Sequence, residues 1–235
     1  MEGPTSVRRR LSRSHIHRRL MAIRRVNLSR QVGLQGLEDE HRLLASEDRN
    51  RGLSIISVGI DKCDGGCFDA EHVPQNVLRF DGSVYCSEKR RNVNLMLSPT
   101  RDEHATVFTH VMVAAPEVGY TSPIQDGLVF LPTPNTLTSA SDAYRDMTKE
   151  QFDELWARKQ RNNEPWDPSE PVCFFSLTSE ESQPVVVPFK VAVPASRVLV
   201  HLLRPQSECG ENIDIAYLGF KGYRGSTTFS TFTLL

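Results

Sequence analysis

Cys63 and Cys67 flank Asp64-Gly65-Gly66, and His72 follows five residues after the second thiol. Zinc accepts thiolate and imidazole, so these three are the metal candidates. No second cysteine pair stands at metal-binding spacing, so a fourth ligand has to come from a distant segment. Asp61, Asp64, Asp69 and Glu71 offer an oxygen-rich alternative, but their spacing does not match an EF-hand loop. The glycines and aspartates read first as a tight loop, and no metal or other cofactor is expected. Catalytic signatures are missing from the sequence: it has no G-x-S-x-G, no Walker A, no G-x-G-x-x-G and no H-E-x-x-H. Glu211 and Asp214 sit on a strand approach, where a structural role is the better assignment. The expectation is a protein that binds rather than catalyses.

The binding candidates gather around the stretch from Val77 to Ser98. A short apolar run leads to Asp81-Gly82, a pair suited to the positive φ of tight turns, and a second run carries Tyr85. A charged corner follows, Glu88-Lys89-Arg90-Arg91, and then Asn92 and the alternating residues Val93, Leu95 and Leu97. The stretch reads as a hairpin whose corner surrounds an aromatic side chain. Tyr120 and Thr121 close a second loop, from Pro116 to Pro123.

Short strands must position these loops. Leu53–Val58 is expected as the first, and Thr106–Ala115, rich in β-branched residues, as a buried one. Gly127–Leu131, Val172–Leu177, Val185–Val193, Arg197–Arg204 and Ile213–Phe220 follow. Pro188 suits an edge or a bulge. Residues 132–171 interrupt the pattern. Thr148-Lys149-Glu150-Gln151 is a capping-box signature, and Phe152, Leu155 and Trp156 share one face of the helix it starts. That face packs on the body as a lid, or else presents Trp156 and Trp166 to a partner. Eight or nine short strands with one helical interruption specify an all-β antiparallel sandwich.

The chain has 235 residues and a formal net charge of −1, which hides an asymmetry. Residues 1–50 hold 11 Arg, no Lys and 6 acids, about +5, leaving 17 basic and 23 acidic residues, about −6, in the remainder. An acidic body is a poor grip for nucleic acid. Residues 1–31, with nine Arg, four Ser and one acid, have the composition of a mitochondrial presequence, of a nuclear-import patch built on Arg8-Arg9-Arg10, or of a plain basic tail. Arg9-Arg10-Leu11-Ser12 also fits a basic-directed kinase site. Residues 1–50 are expected as tail and linker, 51–225 as the body and 226–235 as a C-terminal tail. No apolar run is long enough to span a membrane, and no secretory signal follows Met1. Five cysteines, an odd number, favour free thiols and an intracellular setting: cytoplasm or nucleus, with the mitochondrion as the alternative.

Asn76–Ser98, Arg197–Arg204 and Glu211-Asn-Ile-Asp-Ile-Ala-Tyr-Leu-Gly-Phe-Lys-Gly222 together resemble the galactose-binding-like β-sandwich superfamily. That superfamily includes discoidin domains and the DOC-type domain of the anaphase-promoting complex. The resemblance covers about 170 residues, 53–225, and implies a jelly roll with its ligand loops at one end. It departs at Tyr85, where many members have Trp, and in lacking the terminal cysteine pair of secreted discoidin domains, which favours the intracellular, protein-binding branch. It implies a module that recognises a protein or glycan through Asp81, Tyr85, Glu88, Arg90, Arg91, Asn92, Tyr120, Thr121 and Asn212. A DOC-like adaptor in a ubiquitin-ligase complex is one version. The alternatives are a structural subunit of a mitochondrial assembly and a carbohydrate-processing accessory protein.

Overall fold

A computed structural model describes residues 53–100, 106–117, 119–133, 141–178 and 184–224. The tail, the linker and the C-terminal residues 226–235 lie outside the described residues. Val58, Ile60 and the buried Ile56 belong to one apolar run, yet the chain breaks it at Ser57. β1 (Ser54–Ile56) joins one sheet and β2 (Val58–Cys63) the other. The run is thus two strands that cross between layers, not one.

The remaining strands are β3 (Tyr85–Cys86), β4 (Val93–Pro99), β5 (Thr106–Ala114), β6 (Ile124–Phe130), β7 (Cys173–Ser176), β8 (Val185–Pro188), β9 (Val198–Pro205), β10 (Asp214–Ile215) and β11 (Tyr217–Arg224). Sheet order is β1-β11-β5-β8 in one layer and β2-β4-β9-β6-β7 in the other, with β10-β3 as a small pair; every strand pairing is antiparallel. The expected all-β sandwich is the architecture observed. The eleven described strands exceed the expected eight or nine because of the split at Ser57 and the two-residue pair β3 and β10.

The alternation read from β4 sets its register. Val93, Leu95 and Leu97 are fully buried and lie opposite Leu202, Val200 and Val198 of β9, so both triplets face the core between the layers. Phe108 and Phe220 meet edge-to-face, with centroids 5.6 Å apart, across the opposing sheet. The intervening residues of β4 and β9 face outward, yet His201 is 1% exposed. A third layer covers it.

That layer is the insertion. Its helix α1 (Lys149–Asn162) starts at the expected capping box: Thr148 accepts from the Gln151 N–H, and the Gln151 side chain accepts from the Thr148 N–H. Asn163, in the left-handed conformation, ends it. Phe152 packs on Phe174 of β7 with centroids 6.0 Å apart, and Trp156 donates Nε1–H to the Pro171 carbonyl at 3.2 Å. Trp156 is buried and Trp166 half-buried, with Nε1–H donated to the Glu170 carbonyl at 3.3 Å. The Trp156 ring is spent inside the molecule, and Trp166 packs on the core with part of its ring in solvent. The helix is a lid, and the partner-anchor reading is corrected for Trp156.

Val77–Phe80 departs from its expectation as well. Pro74–Leu78 forms a short 3-10 helix, because Pro74 presets the φ of a helical start and Asn76 ties the turn by donating to the Glu71 and Val84 carbonyls. The stretch is a compact loop rather than a hairpin.

Candidate functional site

Strand direction gathers the loops after β2, β5 and β9 at one end of the sandwich, together with the whole segment from Asp64 to Asn92. The backbone ties them. The Phe68 N–H donates to the Cys86 carbonyl at 2.9 Å, and the Glu88 N–H to the Gly65 carbonyl at 2.9 Å, so the Cys63–Phe68 loop lies along β3 and the charged corner. Gly66 has φ +67°, and a Cβ there would fall 2.3 Å from the Glu88 carboxylate. Glycine takes this left-handed turn without strain, and its bare Cα leaves room for the Glu88 carboxylate to lie against the loop.

Tyr85 holds the loop from beneath. Its hydroxyl donates to the Gly66 carbonyl at 2.8 Å, leaving the Cys63 thiol to donate to the hydroxyl oxygen at 3.1 Å. The ring is fully buried, so Tyr85 does not face a ligand; it is a positioning residue, and its expected place on the binding surface is corrected. Burial pushes its pKa up, with the Cys63 hydrogen bond adding to the rise. Tyr85→Phe is expected to leave the Gly66 carbonyl without its donor and the Cys63 S–H without its acceptor, at a cost of about 1–3 kcal/mol, read as a lower urea midpoint. An unchanged midpoint contradicts this role.

Asp214 draws the other loops in. Only 2% exposed, it accepts from the Ser122 N–H at 3.0 Å and from the Asn212 side-chain amide. The buried Cys86 thiol is also hydrogen-bonded to it; burial, then that bond, raises the thiol pKa. Ser87 completes the frame, exchanging bonds with Ile213 through the Ile213 N–H to Oγ at 2.9 Å and its own N–H to the Ile213 carbonyl at 3.0 Å. Asn212 and the Tyr120–Ser122 loop therefore share one frame with β3. Tyr120 stands edge-on to His72, with centroids 6.0 Å apart.

The other expected residues fall differently. Glu88, Arg90, Arg91 and Thr121 are exposed. Asn92 takes φ 57° at the entrance to β4, donates its N–H to the Leu203 carbonyl at 3.2 Å and leaves its Oδ1 buried without a partner. Asp81 serves its own turn by accepting from the Ser83 N–H at 2.9 Å; its Ser83 bonds hold its pKa down. The structure joins Tyr85, Glu88, Tyr120 and Asn212 to the site, while the Asp81 carboxylate is engaged in its own turn.

Among the described residues, no group of three or more His, Cys, Asp or Glu side chains is placed to hold a metal. His72 bonds Asp69 through Nδ1 at 2.7 Å, while Cys63 faces Tyr85. Burial raises the Cys63 pKa, opposite to the depression that a reactive thiol needs.

Sequence reasoning missed Phe68. At 69% exposure, it is the large hydrophobic side chain that the described residues leave in solvent. It sits beside Asp69, which accepts from the Glu71 and His72 N–H groups and pairs with the His72 ring. The His72 bond, first among several, holds the Asp69 carboxyl below its usual range. An aromatic face with a fixed carboxylate–imidazole pair at its side can pack on an apolar surface and meet polar groups at its rim. The one available signal was an aromatic placed in a glycine- and aspartate-rich loop with no strand alternation to bury it.

No family model and no curated protein matches this chain. Solved structures do. The chain is similar to the family 32 carbohydrate-binding module of Streptococcus pneumoniae EndoD at 9% identity and TM-score 0.45, covering 71% of this chain and 98% of that one. A family 32 module from a Clostridium perfringens family 31 glycoside hydrolase aligns at 11% and 0.45, covering 76% and 97%. The C. perfringens NanJ module, solved with galactose, aligns at 9% and 0.41, covering 72% and 98%. At these identities and TM-scores, the likeness assigns neither a family nor a ligand.

Proposed function

We propose that this chain is a non-catalytic recognition module that holds a glycan against Phe68 at the loop end of its sandwich. The observation that carries the reading is the solvent-facing ring of Phe68 on a loop fixed by Tyr85, Gly66 and Glu88. A sugar ring has an apolar C–H face bordered by hydroxyls. Phe68 suits the face, and Asp69, His72 and Glu88 supply acceptors and a donor for the border. Recognition is favoured over catalysis because the buried polar groups Tyr85, Ser87 and Asp214 are committed to holding loops, and the thiols of Cys63 and Cys86 are shifted toward the protonated form.

A protein ligand is the second reading, favoured by the exposed Glu88-Lys89-Arg90-Arg91 corner on the same rim. An apolar anchor inside a charged rim is the anatomy of a protein interface, and the DOC-like adaptor belongs here. Phe68→Ala is expected to abolish binding on a glycan array while leaving the melting temperature within about 2 °C, because the ring is exposed. If the array is blank for the native chain, and affinity purification with mass spectrometry finds protein partners lost on Arg90→Ala with Arg91→Ala, the second reading replaces the first.

A further inference from the structure

A chain of hydrogen bonds runs from beneath the insertion to the loop end. The Asp64 carboxylate accepts from the Asn94 N–H at 2.8 Å and from the Asn94 side-chain amide at 2.9 Å. Lys89 lies 3.7 Å from the same carboxylate. A carboxylate only accepts, so Asn94 must turn its Nδ2 toward Asp64 and its Oδ1 toward His201, 2.7 Å from Nδ1. An acceptor there requires a proton on Nδ1. The neutral ring then has a bare lone pair on Nε2, which is buried and has no partner among the described residues. Asp64 thus selects the tautomer of a histidine on another strand.

We propose that His201 is a positioning residue for the loop end and releases it in acid: the neutral ring holds Asn94, Asn94 holds Asp64, and a proton on Nε2 breaks the series. The added proton needs an acceptor, and among the described residues Nε2 has none. The charged groups facing the ring are Asp64 from the loop after β2, and Asp142 and Arg145 from the turn before α1; Arg145 and Asp142 are bonded to each other at 2.7 Å. Asn94 of β4 and Leu128 of β6, its neighbours across the sheet, offer the ring no further charge. A charged ring therefore has to move outward. When it does, the Asn94 side chain loses its donor, and the base of the Asp64–Phe68 loop is left to the Asn94 backbone bonds, with one fewer side-chain tie to β4.

Burial depresses the His201 pKa to about 4 from 6.5. The sign follows from proton uptake. The closed state is fully favoured above pH 6.5; between 6.5 and 4 the open state binds the extra proton, so closure weakens as pH falls. One proton makes opening about tenfold more favourable for each pH unit in that window. The inference deepens the recognition reading, since the loop that His201 holds carries Phe68.

Histidine-detected NMR on the full chain, with amide exchange at stepped pH, tests it without any ligand. The expected result is an Nδ1–H tautomer at pH 7. Protection factors of the Asp64–Phe68 amides should fall about tenfold per pH unit below 6.5, while those of β5 and β11 hold. His201→Asn, whose Nδ2–H takes the place of the ring's Nδ1–H and does not titrate, should abolish the acid response and keep the loop protected at pH 7. An Nε2–H tautomer in the native chain overturns the proposal, whatever the variant does. So does a loop that ignores acid, or one that opens only in step with β5 and β11. A blank glycan array leaves all of these outcomes unchanged, so the two readings fail separately.

Discussion

Gly222→Ala is expected to stop the chain from folding. A Cβ at this position would lie 2.0 Å from the Val107 carbonyl oxygen and 3.2 Å from the Phe108 Cα, both backbone atoms of the neighbouring strand. Gly222 stands where the β5–β11 register shifts, opposite Phe108, and it also pairs with Ser54 of β1. Three strands would have to separate to admit one methyl group. Side chains can rotate away from an intruder, but a hydrogen-bonded central ladder cannot. The cost should exceed about 4 kcal/mol, in the range where small domains lose their native state. Soluble yield and near-UV circular dichroism give the readout. Gly59→Ala is the control: the nearest atom to its added Cβ is 3.9 Å away, and it should fold normally. A Gly222→Ala protein that melts within a few degrees of the native one contradicts the packing described.

Lys159→Met should destabilise the insertion by about 3–5 kcal/mol. Lys159 Nζ lies 2.7 Å from Glu170 Oε2 and donates to the Pro165 carbonyl at 2.8 Å, and the two side chains are 8% and 14% exposed. Removing the lysine strands a carboxylate where water scarcely reaches. The damage comes from the orphaned charge and not from the lost pair, so Lys159→Met with Glu170→Leu should recover most of the stability. The chain has two tryptophans, and both lie in the insertion. Tryptophan fluorescence therefore follows the lid while far-UV dichroism follows the sheets. In the single variant, the fluorescence transition should come first. Coincident transitions with an unshifted midpoint contradict the assignment.

The sandwich was legible in the sequence because burial on one face of a strand leaves a period-two mark. β4 shows this with buried Val93, Leu95 and Leu97, each neighboured by a half-buried residue. The helix was legible from Thr148 and Gln151, whose cap is a local matter. What failed depended on distant residues. Tyr85 reads as an exposed aromatic in a charged corner until the Cys63–Phe68 loop is laid over it. Nothing within several residues of Tyr85 announces that loop. Phe68 failed for the opposite reason: an aromatic side chain is assumed to be buried unless the fold shows otherwise. The role of His201 was out of reach because Asn94 and Asp64, which fix its tautomer, lie more than a hundred residues away.

The pairing of β1 with β11 has a consequence for how the body can be mounted. Ser54 and Gly222 are partners, so the two ends of the sandwich leave side by side. β2 runs from there toward Cys63 and the loops, and β11 runs back from them, which puts both ends at the pole opposite Phe68. A host chain could therefore carry this body as an insert, entering and leaving through a single neck. The recognition end would then point outward like the head of a pin.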